Sequence, residues 1–333
     1  MRSHGRRGLM LRTCVVYESK YGTTAEVARA FALVLGPSRM CRPEMFSEDL
    51  KSSDLFVIGT PIYNGEVAPS IRRFVETNAS WLREKPVALF CTCIKLHKGR
   101  TYLTELHTFL GDEVPAVAFG GRLRTADLDR DDRNALTFYA KRTGFILQDR
   151  DLLDMKAVAA YALALRERLE CIDLMPEKEL RARADRFLRT HSECVLATGH
   201  GRAVRATPVD YLYADGRIYI YSEGGAKFAY LVQNPRASVA IYDHHTSMED
   251  VRGMQLTGGV EVLRPGEPGH EEALALRGLT ADEIAAFPAD LNVIRITPDE
   301  TVYLDTSLKK EEYAVRQVLR DRTFSLSPRQ QRP

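Results

Sequence analysis

Hydrophobic residues follow one pattern before about residue 170 and another after it. From Thr13 to about Glu170, short apolar runs alternate with segments of helical period, which implies a parallel sheet covered by helices on both faces. The pattern predicts strands over Thr13–Tyr17, Leu55–Thr60, Val87–Cys93 and Val114–Gly120, with a shorter one around Met40. It predicts helices over Thr24–Leu35, Ser70–Ala79, Thr101–Leu110, Asp131–Thr143 and Lys156–Glu170. The first half therefore reads as an α/β, doubly wound parallel sheet.

After Glu170 a single charged amphipathic helix, Glu177–His191, precedes strand-like runs joined by tight turns. These runs are Ala203–Tyr213, Arg217–Ser222, Ala237–Asp243, Met254–Leu263, Asn292–Thr297 and Thr301–Asp305. Asp215-Gly216 between the first two is a strong hairpin signal. A mostly antiparallel small barrel is expected, with Met175-Pro176 as the linker before it.

Composition narrows the function by exclusion. A chain of 333 residues suits two domains. Its 47 Lys and Arg are balanced by 45 Asp and Glu, so nothing points to a nucleic-acid partner. The six cysteines, Cys14, Cys41, Cys91, Cys93, Cys171 and Cys194, are too sparse for a secreted disulfide framework, and reduced thiols are expected. Cys91 and Cys93 would share one face of a strand, but no second cluster completes a metal site; two small core residues are expected, and no metal. Charges or glycines interrupt every apolar stretch short of the roughly 20 residues a bilayer requires, so no membrane insertion is expected. Met1–Arg12 reads as a tail rather than a targeting segment, and a cytoplasmic location follows.

Candidate chemistry lies in loops. Ser19-Lys20-Tyr21-Gly22-Thr23-Thr24 falls between the first strand and the first helix, where unpaired amides, the helix dipole and hydroxyl donors favour a phosphate. A plain helix cap at Thr23 or Thr24 is the alternative. Thr60-Pro61-Ile62-Tyr63-Asn64-Gly65 and Cys91-Thr92-Cys93-Ile94 follow other strands at their carboxyl ends, where ligands bind in such sheets. Tyr63 could stack on a planar ring, and Asn64 and Gly65 would let backbone approach it. In the second half, Arg205-Ala206-Thr207-Pro208-Val209 lies on a strand and Ser222-Glu223-Gly224-Gly225-Ala226-Lys227 enters a helix, so Arg205, Ser222 and Lys227 form a second phosphate-type set. His244 and His245 in a turn are expected to face solvent.

Over roughly Leu11–Leu169 the chain resembles the flavodoxin family, in particular its menaquinone-dependent protoporphyrinogen oxidase branch. The motifs are Ser19–Thr24, Gly59-Thr60-Pro61-Ile62-Tyr63, Gly120-Gly121-Arg122-Leu123 and Asp154-Met155-Lys156-Ala157-Val158. The resemblance implies FMN, its phosphate on Ser19, Lys20, Tyr21, Gly22, Thr23 and Thr24, its ring flanked by Pro61, Ile62, Tyr63, Asn64, Gly65, Thr92 and Cys93. The segment Lys95–Arg100 is shorter than in the porphyrinogen-oxidising members, so their reaction is not carried over. Over about Pro176–Leu308, Tyr221-Ser222-Glu223-Gly224-Gly225-Ala226-Lys227 and Gly253-Met254-Gln255-Leu256-Thr257-Gly258-Gly259-Val260 resemble pyridoxamine 5′-phosphate oxidase-like split barrels. That resemblance implies FMN between two protomers, hence a homodimer, held by Arg205, Thr207, Pro208, Val209, Ser222, Lys227, Gln255 and Thr257; some such barrels take a deazaflavin or haem instead.

The expected fold class is thus a flavodoxin-like doubly wound sheet over residues 11–170, then a split β-barrel over 176–308, with flexible tails at 1–10 and 320–333. The expected function is an FMN-dependent oxidoreductase or electron-transfer flavoprotein passing electrons to a small-molecule or protein redox partner. The alternatives are a non-catalytic flavin-binding electron carrier or sensor, and a haem- or porphyrin-handling protein. The flavin itself would carry the chemistry, so no catalytic side chain is named. No nicotinamide-binding G-x-G-x-x-G spacing occurs in the glycine loop, which leaves the electron donor open.

Overall fold

A computed structural model describes residues 12–169, 174–280, 283, 284, 286 and 288–320. The chain divides near residue 170 into two compact units. The expected segment 1–10 lies outside the described residues, as do Cys171 and Glu170.

In the first unit, strands β1 (Thr13–Tyr17), β2 (Ser38–Cys41), β3 (Leu55–Tyr63), β5 (Val87–Cys93) and β6 (Ala116–Gly120) form a parallel sheet in the order β2-β1-β3-β5-β6. Period-two alternation sends side chains to both faces. Cys14, Val16, Phe56, Ile58, Leu89 and Cys91 pack with helices α2 (Pro69–Leu82) and α3 (Gly99–Leu110). Val15, Leu55, Val57, Ala88 and Phe90 pack on the other side with α1 (Thr23–Val34) and α5 (Met155–Leu169). Both faces are covered, which is why the strands read as nearly continuous apolar runs. Cys91 and Cys93 are buried core residues, as expected. Strand order reverses between β1 and β3, so their carboxyl ends flank the crevice where such sheets bind ligands.

Two differences from the sequence reading concern this crevice. The strand expected to stop at Thr60 runs on to Tyr63 and turns back through Asn64-Gly65 into β4 (Glu66–Val67). Asn64 and Gly65 have φ of 54° and 87°, the pair of left-handed conformations that a two-residue hairpin turn requires. The supposed loop is therefore a hairpin. The second concerns α4 (Arg130–Thr143), which does not pack on the sheet: none of its residues is buried. It is carried on a stem of two short antiparallel strands, β7 (Arg122–Leu123) and β8 (Arg150–Asp151). The strand expected from Val114 begins at Ala116, after Pro115, and other element ends shift by less than a turn.

The second unit is a curled antiparallel sheet in the order β10-β9-β13-β14-β15-β12-β11, with β16 paired to β15. Its strands are β9 (Glu193–His200), β10 (Ala203–Asp210), β11 (Leu212–Ala214), β12 (Arg217–Ser222), β13 (Arg236–Tyr242), β14 (Arg252–Leu263), β15 (Asn292–Asp305) and β16 (Arg316–Arg320). Helix α6 (Glu177–Arg189) buries Leu180, Ala184, Phe187 and Leu188 in the core. The unit also contains the short helices α7 (Lys227–Leu231) and α8 (His270–Leu276).

The sequence reading missed β9, α8 and β16, and joined β10 to β11. Tyr211 separates them: its amide donates to the Ser192 carbonyl and its hydroxyl to the Leu188 carbonyl, turning the chain from β9 toward β12. The hairpin at Asp215-Gly216 is as expected, with φ of 50° and 74°. The two strands expected around residues 292–305 are one, bent where the register shifts between Thr257 and Gly258 opposite Pro298. Proline lacks the ladder donor and is tolerated at such a bulge. Arg320, expected in the tail, is paired with Glu300; the residues beyond it are outside those described. No described helix is long and apolar enough to cross a membrane.

Candidate functional site

In the first unit, β1 delivers the chain into a tight turn. Gly22, at φ 88°, is the residue before α1, and its amide donates to the buried Ser19 hydroxyl at 3.1 Å. A Cβ there would meet no atom within 4 Å, so glycine is needed for the left-handed backbone and not for space. Thr23 and Thr24 are buried at the start of α1, and neither caps the helix with its side chain. Thr24 instead shares a 2.8 Å hydrogen bond with the Thr92 hydroxyl at the end of β5. The phosphate-type loop and the β5 loop are thereby joined.

Three placements here could not be read from the sequence. Lys20 points to α4, with its ammonium 2.5 Å from Asp129 and 2.6 Å from Asp132. Tyr21 donates to the same Asp132 carboxylate at 2.5 Å. Arg42 supports the loop by donating to the Ser19 carbonyl while pairing with Glu18. The loop therefore offers amides and hydroxyls, and the two cations at it, Lys20 and Arg42, are held in ion pairs. Tyr63 lies edge-on to Tyr21 at 6.0 Å, with the Lys20 and Tyr21 amides against its oxygen; burial nonetheless pushes its pKa up. Pro61 and Cys93 are buried, Ile62 and Tyr63 are half-buried, and Asn64 and Gly65 are exposed at the hairpin tip.

In the second unit, cross-strand pairing separates the expected residues into two groups, because directly opposed residues share a sheet face. Thr207, Leu196, Val239 and Leu256 form one inward-facing row, with Arg205 and Val209 on the same face of β10. Pro208 and Gln255 belong to an outward row with Val195 and Ala240, and Thr257 to another with Ala206, Ala197 and Ser238. Gln255 and Thr257 therefore lie on the opposite face from Arg205 and Thr207.

The inward group has the electrostatics of an anion site. Lys227 is buried, and its ammonium donates to the Gly224 carbonyl at 2.6 Å. The Ser222 hydroxyl donates to the same carbonyl and accepts from the Gly224 amide. Burial, and then the charge of Arg205, push the Lys227 pKa down. Among the described residues neither cation forms an ion pair. Thr198, opposite Arg205 on β9, was missed because that strand was missed; it is buried and its hydroxyl has no partner, as is true of the Thr207 hydroxyl. Buried hydroxyls without partners cost about 1–3 kcal/mol, and both stand on the sheet face that carries Arg205.

Residues 14–146 match the family model for the flavodoxin domain, and residues 180–305 match that for pyridoxamine 5′-phosphate oxidase. The chain carries one domain of each kind. Both are flavin-associated families. Solved structures similar to parts of the chain include an FAD-binding protein from Mesorhizobium loti, at 22% identity and a TM-score of 0.30 over 36% of this chain and 89% of that one. Another is General Stress Protein 26 from Bacillus anthracis, at 14% identity and a TM-score of 0.31 over 43% and 98%. A third is ChuZ from Campylobacter jejuni, at 11% identity and a TM-score of 0.35 over 52% and 70%. No curated protein matches the chain. The flavodoxin domain thus contains the amide cradle, and the oxidase-type domain the cationic one.

Proposed function

We propose that the protein is an FMN-dependent oxidoreductase or electron-transfer flavoprotein with one flavin site in each domain, serving a small-molecule or protein redox partner in the cytoplasm. The observation that carries this reading is the buried Lys227 beside Arg205, two cations with no ion pair among the described residues, next to the partnerless Thr198 and Thr207 hydroxyls. A terminal phosphate monoester, with a charge of about −1.5 to −2 at neutral pH, matches that pair; this favours FMN over FAD. In the flavodoxin domain the Gly22 turn offers amides at a helix start, with Ser19, Thr23 and Thr24 supplying hydroxyls.

A bound flavin supplies hydride and one-electron chemistry, and the chain supplies position and electrostatics. Arg205 and Lys227 would hold one phosphate and the Ser19–Thr24 turn the other, with Tyr63 and Thr92 beside the second ring. The outward face of the oxidase-type sheet is small and uncharged at Ala197, Ala206, Pro208, Ala240 and Thr257, with exposed Val204 and Tyr242 at its margins. Such a face suits a second copy of the chain, and homodimerisation through it is part of the proposal. A place in the protoporphyrinogen oxidase-like branch is also part of the proposal; Ser19–Thr24 and Gly59-Thr60-Pro61-Ile62-Tyr63 support it most, together with Gly120-Gly121-Arg122-Leu123, which leads from β6 into the α4 stem.

Flavin quantification tests the proposal. The wild-type chain should bind two FMN, Lys227→Ala should retain one tightly bound, and Gly22→Ala should keep two with the flavodoxin-domain site weakened. A purified chain that takes up no FMN on titration overturns it.

A further inference from the structure

Helix α4 buries none of its residues, yet it is held beside the flavodoxin-domain crevice by polar contacts at both ends. In its first turn Asp132 accepts from Lys20 and Tyr21 of the phosphate-type turn. Near its other end the Tyr139 hydroxyl accepts from Lys95, just past β5. Seven residues of helix, about 10 Å, separate these two contacts, so α4 runs from the phosphate-type turn to the β5 loop.

At the β5 end three cations lie over aromatic rings. Lys95 is 4.6 Å from the centre of Tyr139, Arg142 is 5.5 Å from Phe138 and Arg150 is 5.0 Å from Phe145. Phe145 packs on Tyr139 at 5.7 Å, and Lys98 adds a fourth cation that bears on Tyr139. Among the described residues none of these four cations pairs with a carboxylate, whereas Lys20, Arg42, Arg72 and Arg122 of the same domain all do. Around the cluster Leu96, Phe138 and Ile146 are 51%, 62% and 65% exposed.

We propose that this end of α4, with the β5 loop, is the docking surface for an acidic one-electron carrier protein. A cation stacked on a ring and free of any carboxylate keeps its charge, and the ring limits its rotamers, so less side-chain freedom is lost when a partner's carboxylate arrives. Exposed aromatics interleaved with arginine are also the residues that dominate the energetics of protein interfaces. A bilayer is a poorer fit. A helix seated in a membrane surface needs a continuous apolar face, but α4 opens with Arg130-Asp131-Asp132-Arg133-Asn134. The exposed apolar residues are separated by charge: Leu96 follows Lys95, Phe138 lies under Arg142, and the Ile146 carbonyl accepts from Arg150. A carrier docked here stands beside the crevice, and its delivery of electrons rests on reading that crevice as a flavin site. Two reduced carriers each lose one electron, and the flavin gains both with a proton from water.

Isothermal titration of the full chain without flavin, using an acidic plant-type [2Fe–2S] ferredoxin at low ionic strength, tests the surface itself. Binding should weaken at least about tenfold in Lys98→Glu/Arg142→Glu, both exposed positions, and should weaken in wild type as salt is raised. Lys309→Glu/Lys310→Glu, exposed cations of the other domain, should bind as wild type does. No binding, an undiminished affinity in the first double variant, or an equal loss in both overturns the proposal. So does binding to phosphatidylglycerol vesicles instead of the ferredoxin, if Lys98→Glu/Arg142→Glu abolishes it. The second measurement loads the Arg205→Ala/Lys227→Ala chain with FMN and mixes it with photoreduced ferredoxin. Bleaching of the flavin should slow about tenfold when Lys98→Glu/Arg142→Glu is added, and an unchanged rate overturns the docking surface. A chain that binds ferredoxin as expected but takes up no FMN supports the surface and overturns the flavin reading beneath it.

Discussion

On the proposed reading, the two cradles would hold a phosphate by different physics. In the flavodoxin domain the donors are backbone amides and hydroxyls fixed by one left-handed glycine, and the two cations at the loop, Lys20 and Arg42, are paired with Asp129 and Asp132 and with Glu18. In the oxidase-type domain the proposed site relies on charge, with a buried ammonium that feels the Arg205 guanidinium and no ion pair at either among the described residues. Amides carry no net charge to desolvate and are insensitive to pH; a buried ammonium such as Lys227 is costly without an anion and would gain from binding one. One chain therefore holds a geometric site and an electrostatic one.

The largest effect should come from removing charge. Lys227→Ala, leaving Arg205 in place, should weaken FMN at the oxidase-type site by at least about 30-fold, since losing one partner of a desolvated charge pair costs about 2–5 kcal/mol. Fluorescence titration of FMN in wild type and variant measures it. Raising ionic strength should weaken this site and leave the flavodoxin site nearly unchanged. Equal salt dependence at both would break the contrast.

Next in size is Gly22→Ala. The space is free, so the cost is conformational, roughly 1–2 kcal/mol for a left-handed alanine. FMN affinity at the flavodoxin site should fall about tenfold, with a lower thermal midpoint for that domain and no change at the other site. A variant that binds as tightly as wild type would show that the turn does not set the cradle.

The pH response should also divide the sites. Because its pKa is lowered in the folded chain, Lys227 loses its proton as pH rises before an exposed lysine at 10.5 would. Bound phosphate favours the charged form, so affinity at the oxidase-type site should be full below that lowered pKa and decline as pH rises through it. For folding without flavin the sign is opposite: between the lowered pKa and 10.5 the unfolded chain holds more protons, so stability contributed by this group increases with pH. Isothermal titration with FMN across this range should show the decline at one site only.

The loop of the proposed geometric site was legible because its residues are contiguous. Ser19–Thr24 lies between an apolar strand and a helix, and those boundaries predicted a phosphate-type turn. The acidic residues that neutralise Lys20 were not legible, since Asp132 is 112 positions away on a helix whose placement has no hydrophobic signature. Asn64-Gly65 carried a hairpin signal as strong as Asp215-Gly216, and was missed because the run before it looked like a strand already ended. Strand β9 was overlooked because Cys194-Val195-Leu196-Ala197 is apolar on both faces, whereas an antiparallel strand with one wet face should alternate. The Thr198 hydroxyl was lost with it.

The smallest predicted effect reverses the contrast. Asp129→Asn with Asp132→Asn would free Lys20, now 45% exposed in its ion pairs, to act on a phosphate in the adjoining turn. Exposed pairs contribute only about 0.2–1 kcal/mol, so affinity for FMN should rise by about two- to fivefold at low salt. The gain should disappear at high ionic strength, because it comes from an exposed charge and not from a buried one. The same substitutions remove the contacts that hold the amino end of α4, so the change should be accompanied by faster hydrogen exchange over Arg130–Thr143. If affinity falls instead, Lys20 serves the cradle by anchoring α4, and the geometry of that helix matters more to the first site than its lost charge.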